Sequence, residues 1–186
     1  MKSFKVKVNM RRFGFCLLLL SVLGLVACGN PEVAVPDALS VVFISVDGAA
    51  DVKPDAVIEV FFSDPVDVQS ATSKQIYLMH TGVVVGDGDL PACGSDWESQ
   101  AISVNFADAL NQKMQVEATT DMTAGRCYAL VLTTAVRGSD TGPLDNLGLC
   151  DQASNNPNAD LCAALEGAEA GTPPRVGAFA MFRIGE

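Results

Sequence analysis

The chain predicts an all-β fold, an antiparallel β-sandwich of about seven to eight short strands. Three observations carry this. Beyond residue 40 the apolar residues recur with period 2, turn-forming residues interrupt them at strand-like intervals, and hardly any stretch repeats with a helical period. The first β-branched run, 41–46, stops at Asp47-Gly48, and the second, 57–62, stops at Ser63-Asp64-Pro65. In the second run Ile58, Val60 and Phe62 fall on one face with Glu59 opposite, as in a strand with a buried and a wetter side. Pro65 has no N–H to continue a ladder, so the strand ends there and Val66 can fold back over the core. Further strands are expected at 75–79, 83–86, 101–106, 113–118, 127–134 and 178–184. In 127–134, Tyr128, Leu130 and Leu132 share one face. The Tyr128 ring then packs inward while its hydroxyl can tie a neighbouring loop.

These residues carry a resemblance. Val46-Asp47-Gly48-Ala49-Ala50-Asp51-Val52, the strand up to Phe62 and Ser63-Asp64-Pro65-Val66-Asp67 resemble the opening of the bacterial Ig-like domain of S-layer and other surface proteins. Thr123-Ala124-Gly125-Arg126-Cys127-Tyr128 is similar to its Gly turn feeding a strand that starts with Tyr. Gly142-Pro143-Leu144-Asp145-Asn146 resembles the following loop, and 179–184 its last strand. The resemblance covers most of residues 40–186 and implies an Ig-like sandwich. The chain departs from it in two cysteine-bearing insertions, one around Cys93 and a longer one between Gly138 and Gly177. Loops of that kind are where a private function is built.

The first 27 residues read as an export signal. Lys2, Lys5, Lys7, Arg11 and Arg12 form a positive start, 13–25 an apolar block, and small residues follow. The 16 residues from Phe13 to Cys28 fall short of the roughly 20 needed to cross a bilayer. Leu25-Val26-Ala27-Cys28 resembles the lipobox of bacterial lipoproteins. That resemblance implies diacylglyceryl transfer to the Cys28 sulfur, cleavage before Cys28 and N-acylation with a fatty acid such as palmitate. Gly29, in place of an aspartate, implies the outer membrane of a Gram-negative host. The expected organisation is a removed signal at 1–27, a lipidated tether at 28–39 and the Ig-like domain at 40–186.

Five of the 12 Lys+Arg and none of the 22 Asp+Glu precede Cys28. The processed chain would therefore carry seven basic against 22 acidic residues, a net charge of −15. Such a surface repels phosphate backbones and anionic head groups, which argues against nucleic acid as a partner and leaves lipid as the membrane contact. The 159 residues from Cys28 onward suffice for one domain.

Cys16 leaves with the signal and Cys28 is the acylation site, so Cys93, Cys127, Cys150 and Cys162 remain, an even number that permits three pairings. The favoured pairs are Cys150–Cys162, stapling the long insertion with a short helix over 158–165, and Cys93–Cys127, tying the preceding loop to the Tyr128 strand. Loop entropy gives roughly 3 and 4 kcal/mol for them. Zinc is disfavoured, because no C-x₂-C pair is present and export places the thiols in an oxidising space.

No catalytic constellation emerges, and the chain is expected to be non-enzymatic and without a cofactor. His80 is the only histidine. It lies in a turn-like His80-Thr81-Gly82 and reads as an exposed turn residue rather than a general base. Gly86-Asp87-Gly88 lacks the strand-turn-helix context of a dinucleotide site. Asp87, Asp89 and Asp96, with Glu98, gather hard oxygens without EF-hand spacing, as do 140–145 with Asp151 and Asp160. They are calcium candidates set against acidic loops that simply face water. Two functions are thus expected: a lipid-anchored structural or interaction module (adhesion or scaffold) meeting a protein or glycan partner of the envelope, or a small-ligand, glycan or calcium-binding lipoprotein using its acidic loops. Trp97 bears on the choice, and burial is the favoured reading for it.

Overall fold

The computed structural model describes residues 37–83, 93–150, 158–168 and 175–185. They build eight strands and one helix: β1 (Val41–Ile44), β2 (Ile58–Phe62), β3 (Ile76–Val83), β4 (Trp97–Gln100), β5 (Ile102–Phe106), β6 (Lys113–Ala118), β7 (Arg126–Thr133), α1 (Ala159–Ala168) and β8 (Val176–Arg183). Two four-stranded antiparallel sheets result, ordered β1-β2-β6-β5 and β4-β3-β7-β8. This is the all-β sandwich expected, and its strand order is that of an immunoglobulin-type fold.

Alternation builds the core between the sheets. Ile58, Val60 and Phe62 of β2, Met114 and Val116 of β6, Ile76 and Leu78 of β3, Leu130 and Leu132 of β7, and Ala180 and Phe182 of β8 all point inward and are buried. Val66 is fully buried just after Pro65. Packing starts before residue 40: Leu39, placed with the tether in the sequence reading, is completely buried and bridges Leu144.

Gly125, at φ 74°, makes the turn into β7 that a side chain would strain. That turn sets Tyr128 so that its ring stacks on Phe182, centroids 5.7 Å apart, while its hydroxyl accepts a 2.8 Å hydrogen bond from the Thr123 backbone N–H. A loop is thereby tied to the strand it feeds, as the sequence reading anticipated.

β7 is buried on both faces. Met79, Ala129 and Val131 form the outer face of the second sheet, and α1 covers them with Leu161 and Leu165. Each such aliphatic side chain contributes roughly 1.5–3 kcal/mol by leaving water. The helix runs three residues beyond the expected 158–165, and the Cys150–Cys162 disulfide holds it. Trp97 and Tyr77 pack at the border of this cluster, so Trp97 is half-buried on the outer face instead of closing an end of the sandwich.

Three expectations change. The segment 75–79 continues to Val83, because His80-Thr81-Gly82 keeps pairing: His80 lies opposite Tyr128 in β7 and opposite Glu98 in β4. Of the strand expected at 83–86, Val83 belongs to β3, and 84–86 lie outside the described residues. β4, Trp97–Gln100, was not expected, since a polar edge strand shows no apolar alternation.

Tyr128→Phe removes the acceptor from the Thr123 N–H while keeping the ring. It is expected to lower stability by about 1 kcal/mol in denaturant titrations with disulfides intact. An unchanged midpoint would show that the tie contributes nothing.

Candidate functional site: the open edge between the sheets

Two edge strands whose residues line one groove, β1 and β8, carry different contacts. After β1 the chain turns and crosses to the second sheet. There the Gly48 N–H donates to the Met181 carbonyl (2.8 Å), Arg183 N–H to Ala49 (2.8 Å) and Val52 N–H to Arg183 (3.0 Å), and Val52 forms a parallel bridge with Ile184. At the other end of β8 the Leu147 N–H donates to the Val176 carbonyl (2.8 Å). Both ends of the β8 edge are thus occupied. Just before β1, the Gly142 N–H donates to the Asp37 carbonyl (2.9 Å) and Leu39 bridges Leu144, while Val41–Ile44 are paired, among the described residues, with β2 alone.

Between these edges lies a groove of about 390 Å³. Its floor includes Leu39, Ile44 and Ala178, which belong to the core. Its mouth is apolar and open: Val42 is 68% exposed, Phe43 55% and Leu147 57%. The register of β1 against β2 shifts between Val41 and Phe43, so Val42 is the extra residue of a bulge and is turned outward. Phe43 lies on the outer face of the first sheet with its ring 6.0 Å from that of Phe61. Gly177 lets β8 pass the Leu144 loop, since a Cβ there would stand 2.5 Å from the Leu144 Cβ.

Two carboxylates, Asp47 and Asp145, line the groove. Neither is ion-paired among the described residues. On the outer face of the first sheet the Lys113 ammonium sits 5.4 Å over the Phe61 ring and 2.7 Å from Glu59. That pairing, with a bond from Gln115, holds the Glu59 carboxyl below its ordinary range.

The residues singled out in the sequence fall elsewhere. Cys28, Asp87 and Asp89 lie outside the described residues. Asp96 is an exposed residue before β4, and among the described residues no three metal-ligating side chains converge. Cys93 pairs with Cys127 and Cys150 with Cys162, the pairings favoured above.

The reading of His80 as an exposed turn residue is corrected. Its side chain is 13% exposed, its ring lies 5.5 Å from that of Tyr128, and Arg126 Nη1 donates to Nδ1 at 3.0 Å. A lone pair on Nδ1 requires the neutral ring with its proton on Nε2, which faces Glu98 at 3.9 Å. Burial, then the Arg126 charge, holds the His80 pKa below its ordinary 6.5, with Glu98 opposing. The ring is a structural connector. The groove residues carried a faint sequence signal: Val42 and Phe43 stand in a run read as a strand, but only the bulge shows that they face solvent.

The strand order, the crossing of the N-terminal segment between sheets and the Tyr128 tie define an immunoglobulin-type sandwich with an insertion covering one outer face. No protein-family model matches the sequence. No curated protein matches it. Among solved structures the chain is similar to the N-terminal part of the bacterial S-layer protein SbsC, at 14% identity and a TM-score of 0.37, over 57% of this chain and 21% of that one. It is also similar to surface layer protein SbsC domains 1–6, at 14% identity and a TM-score of 0.39, over 89% of this chain and 16% of that one. The chain thus spans about a fifth or less of either S-layer chain.

Because folding lowers the His80 pKa, the unfolded chain takes up this proton first on acidification. The His80 contribution is full above pH 6.5 and is lost as pH falls below it. Denaturant midpoints between about pH 7.5 and 5 are therefore expected to fall with acid more steeply for the wild-type chain than for His80→Gln. Equal slopes would count against this environment.

Proposed function

We propose that this chain is a lipid-anchored, non-catalytic module of the bacterial cell envelope, held by acyl chains on Cys28 in the outer membrane of a Gram-negative host. Its sandwich has a structural or interaction role toward an envelope partner. The observation that carries the interaction role is the open β1 edge, where Val42, Phe43 and Leu147 expose large apolar side chains around a groove. Soluble domains blunt or cover such edges, and an apolar patch left in the open marks a contact surface. Two disulfides suit an oxidising compartment outside the cytoplasm. Leu25-Val26-Ala27-Cys28 supports the anchor. Several acyl chains give lasting attachment where one chain is marginal.

Cys28→Ala is expected to abolish palmitate labelling and to lose retention in the outer-membrane fraction; retained label would sink the anchor. In cells, a photo-reactive residue in place of Leu147 should form cross-links that the same residue in place of exposed Leu110, in the β5–β6 loop, does not. Equal yields from both positions would refute an interaction role for this edge.

A further inference from the structure

We propose that the β1 edge is a strand-addition site that takes an extended segment of another polypeptide, with alternating apolar side chains and Lys or Arg at its flanks, as a fifth strand of the first sheet. This rests on the interaction role assigned above and names the partner's chemistry. Hydrogen bonding sets the place. The β8 edge is engaged at its two ends, by the crossing chain at Gly48, Ala49 and Val52 and by Leu147, and the entry to β1 is engaged at Asp37 and Leu39 by Gly142 and Leu144, whereas Val41–Ile44 pair only with β2 among the described residues. The window Val41–Ile44 is four residues long, so an added strand pairs over about 13 Å. Main-chain bonds to β1 then give affinity, and alternate side chains of the incoming strand enter the groove beside Leu147 and Phe179.

Charge selects the occupant. Asp47 and Asp145 line the groove without a cationic partner among the described residues, in a chain of net charge −10. A second copy docked edge to edge would bring its own Asp47 and Asp145 to the same seam, so like charges oppose self-pairing. A strand flanked by Lys or Arg places cations where those carboxylates stand. Val42 and Phe43 meanwhile lose their exposure to water.

The test uses the detergent-solubilised full chain and three synthetic peptides: an alternating Val/Thr core flanked by Lys, the same core flanked by Glu, and the Lys-flanked core with a central Pro. The Lys-flanked peptide is expected to bind and to slow hydrogen exchange at 41–44. The Glu-flanked peptide should bind at least about tenfold more weakly, and the Pro peptide, which breaks the ladder, should not bind detectably. Asp47→Asn with Asp145→Asn should weaken the Lys-flanked peptide by roughly three- to tenfold and flatten its salt dependence. Equal binding of the Lys- and Glu-flanked peptides, protection away from 41–44, no binding at about millimolar peptide, or dimers protected at 41–44 without peptide would each overturn the proposal. Peptide failure alongside selective cross-linking from position 147 overturns strand addition alone; loss of that cross-linking overturns the interaction role itself.

Discussion

β7 is apolar on both faces, and the rest of the molecule is arranged to keep both faces dry. Tyr128, Leu130 and Leu132 face the first sheet, while Cys127, Ala129 and Val131 face the other way, and every residue from Cys127 to Thr133 is buried. A two-layer sandwich covers only one of those faces. The insertion after Gly138 supplies the third layer, one helix whose Leu161 and Leu165 sit on Ala129 and Val131. Both disulfides serve this strand. Cys127 is part of it, and Cys162 holds the helix that covers it. A ten-residue helix has little stability of its own, so its attachment has to come from the side chains it buries and from the cross-link.

What was legible in the sequence follows from where alternation is clean. β2 and β6 have one core face and one wet face, so Ile58, Val60 and Phe62, or Met114 and Val116, announce themselves. Tyr128 was legible because a glycine turn precedes it. β4 and the role of His80 were not legible, and for one reason. Both lie toward the β4 edge of the second sheet, where pairing is made by backbone groups whose side chains are Glu98, Ser99, Gln100 and Thr81. Edge pairing obeys register rather than hydrophobicity, so a histidine next to a glycine looked like a turn until the ladder carried through it. The groove was invisible for a related reason. Sequence shows that Val42 and Phe43 are apolar, but the bulge that turns Val42 outward is a property of two strands together.

The four sheet edges show how selectively β1 is left open. β4 presents Glu98, Ser99 and Gln100. β5 sets Ser103 and Asn105 opposite Glu117 and Gln115, so its outer face is polar. β8 is occupied at both ends by the crossing segment and the Leu147 loop. Among the described residues β1 combines a side without a strand partner with exposed apolar side chains, and it is guarded by its short length and its bulge. Those guards limit indiscriminate pairing, because four residues of ladder are too few to hold a strand that lacks matching side chains. An edge that is short, apolar and acid-rimmed therefore discriminates by what its partner carries beside the backbone.

Chain connectivity relates this edge to the proposed anchor. The residues that line the groove begin at Leu39, and the described chain starts at Asp37, so the groove sits where the segment from Cys28 enters the fold. The nine residues 28–36 can span at most about 30 Å, at roughly 3.3–3.6 Å each. On the proposed acylation, a polypeptide strand added to β1 is therefore held within one short tether of the bilayer. An attachment of that proposed kind would confine the domain to a thin layer and raise its effective concentration toward other membrane-bound chains, so that a contact of only four residues would be occupied there at an affinity that leaves it empty in free solution.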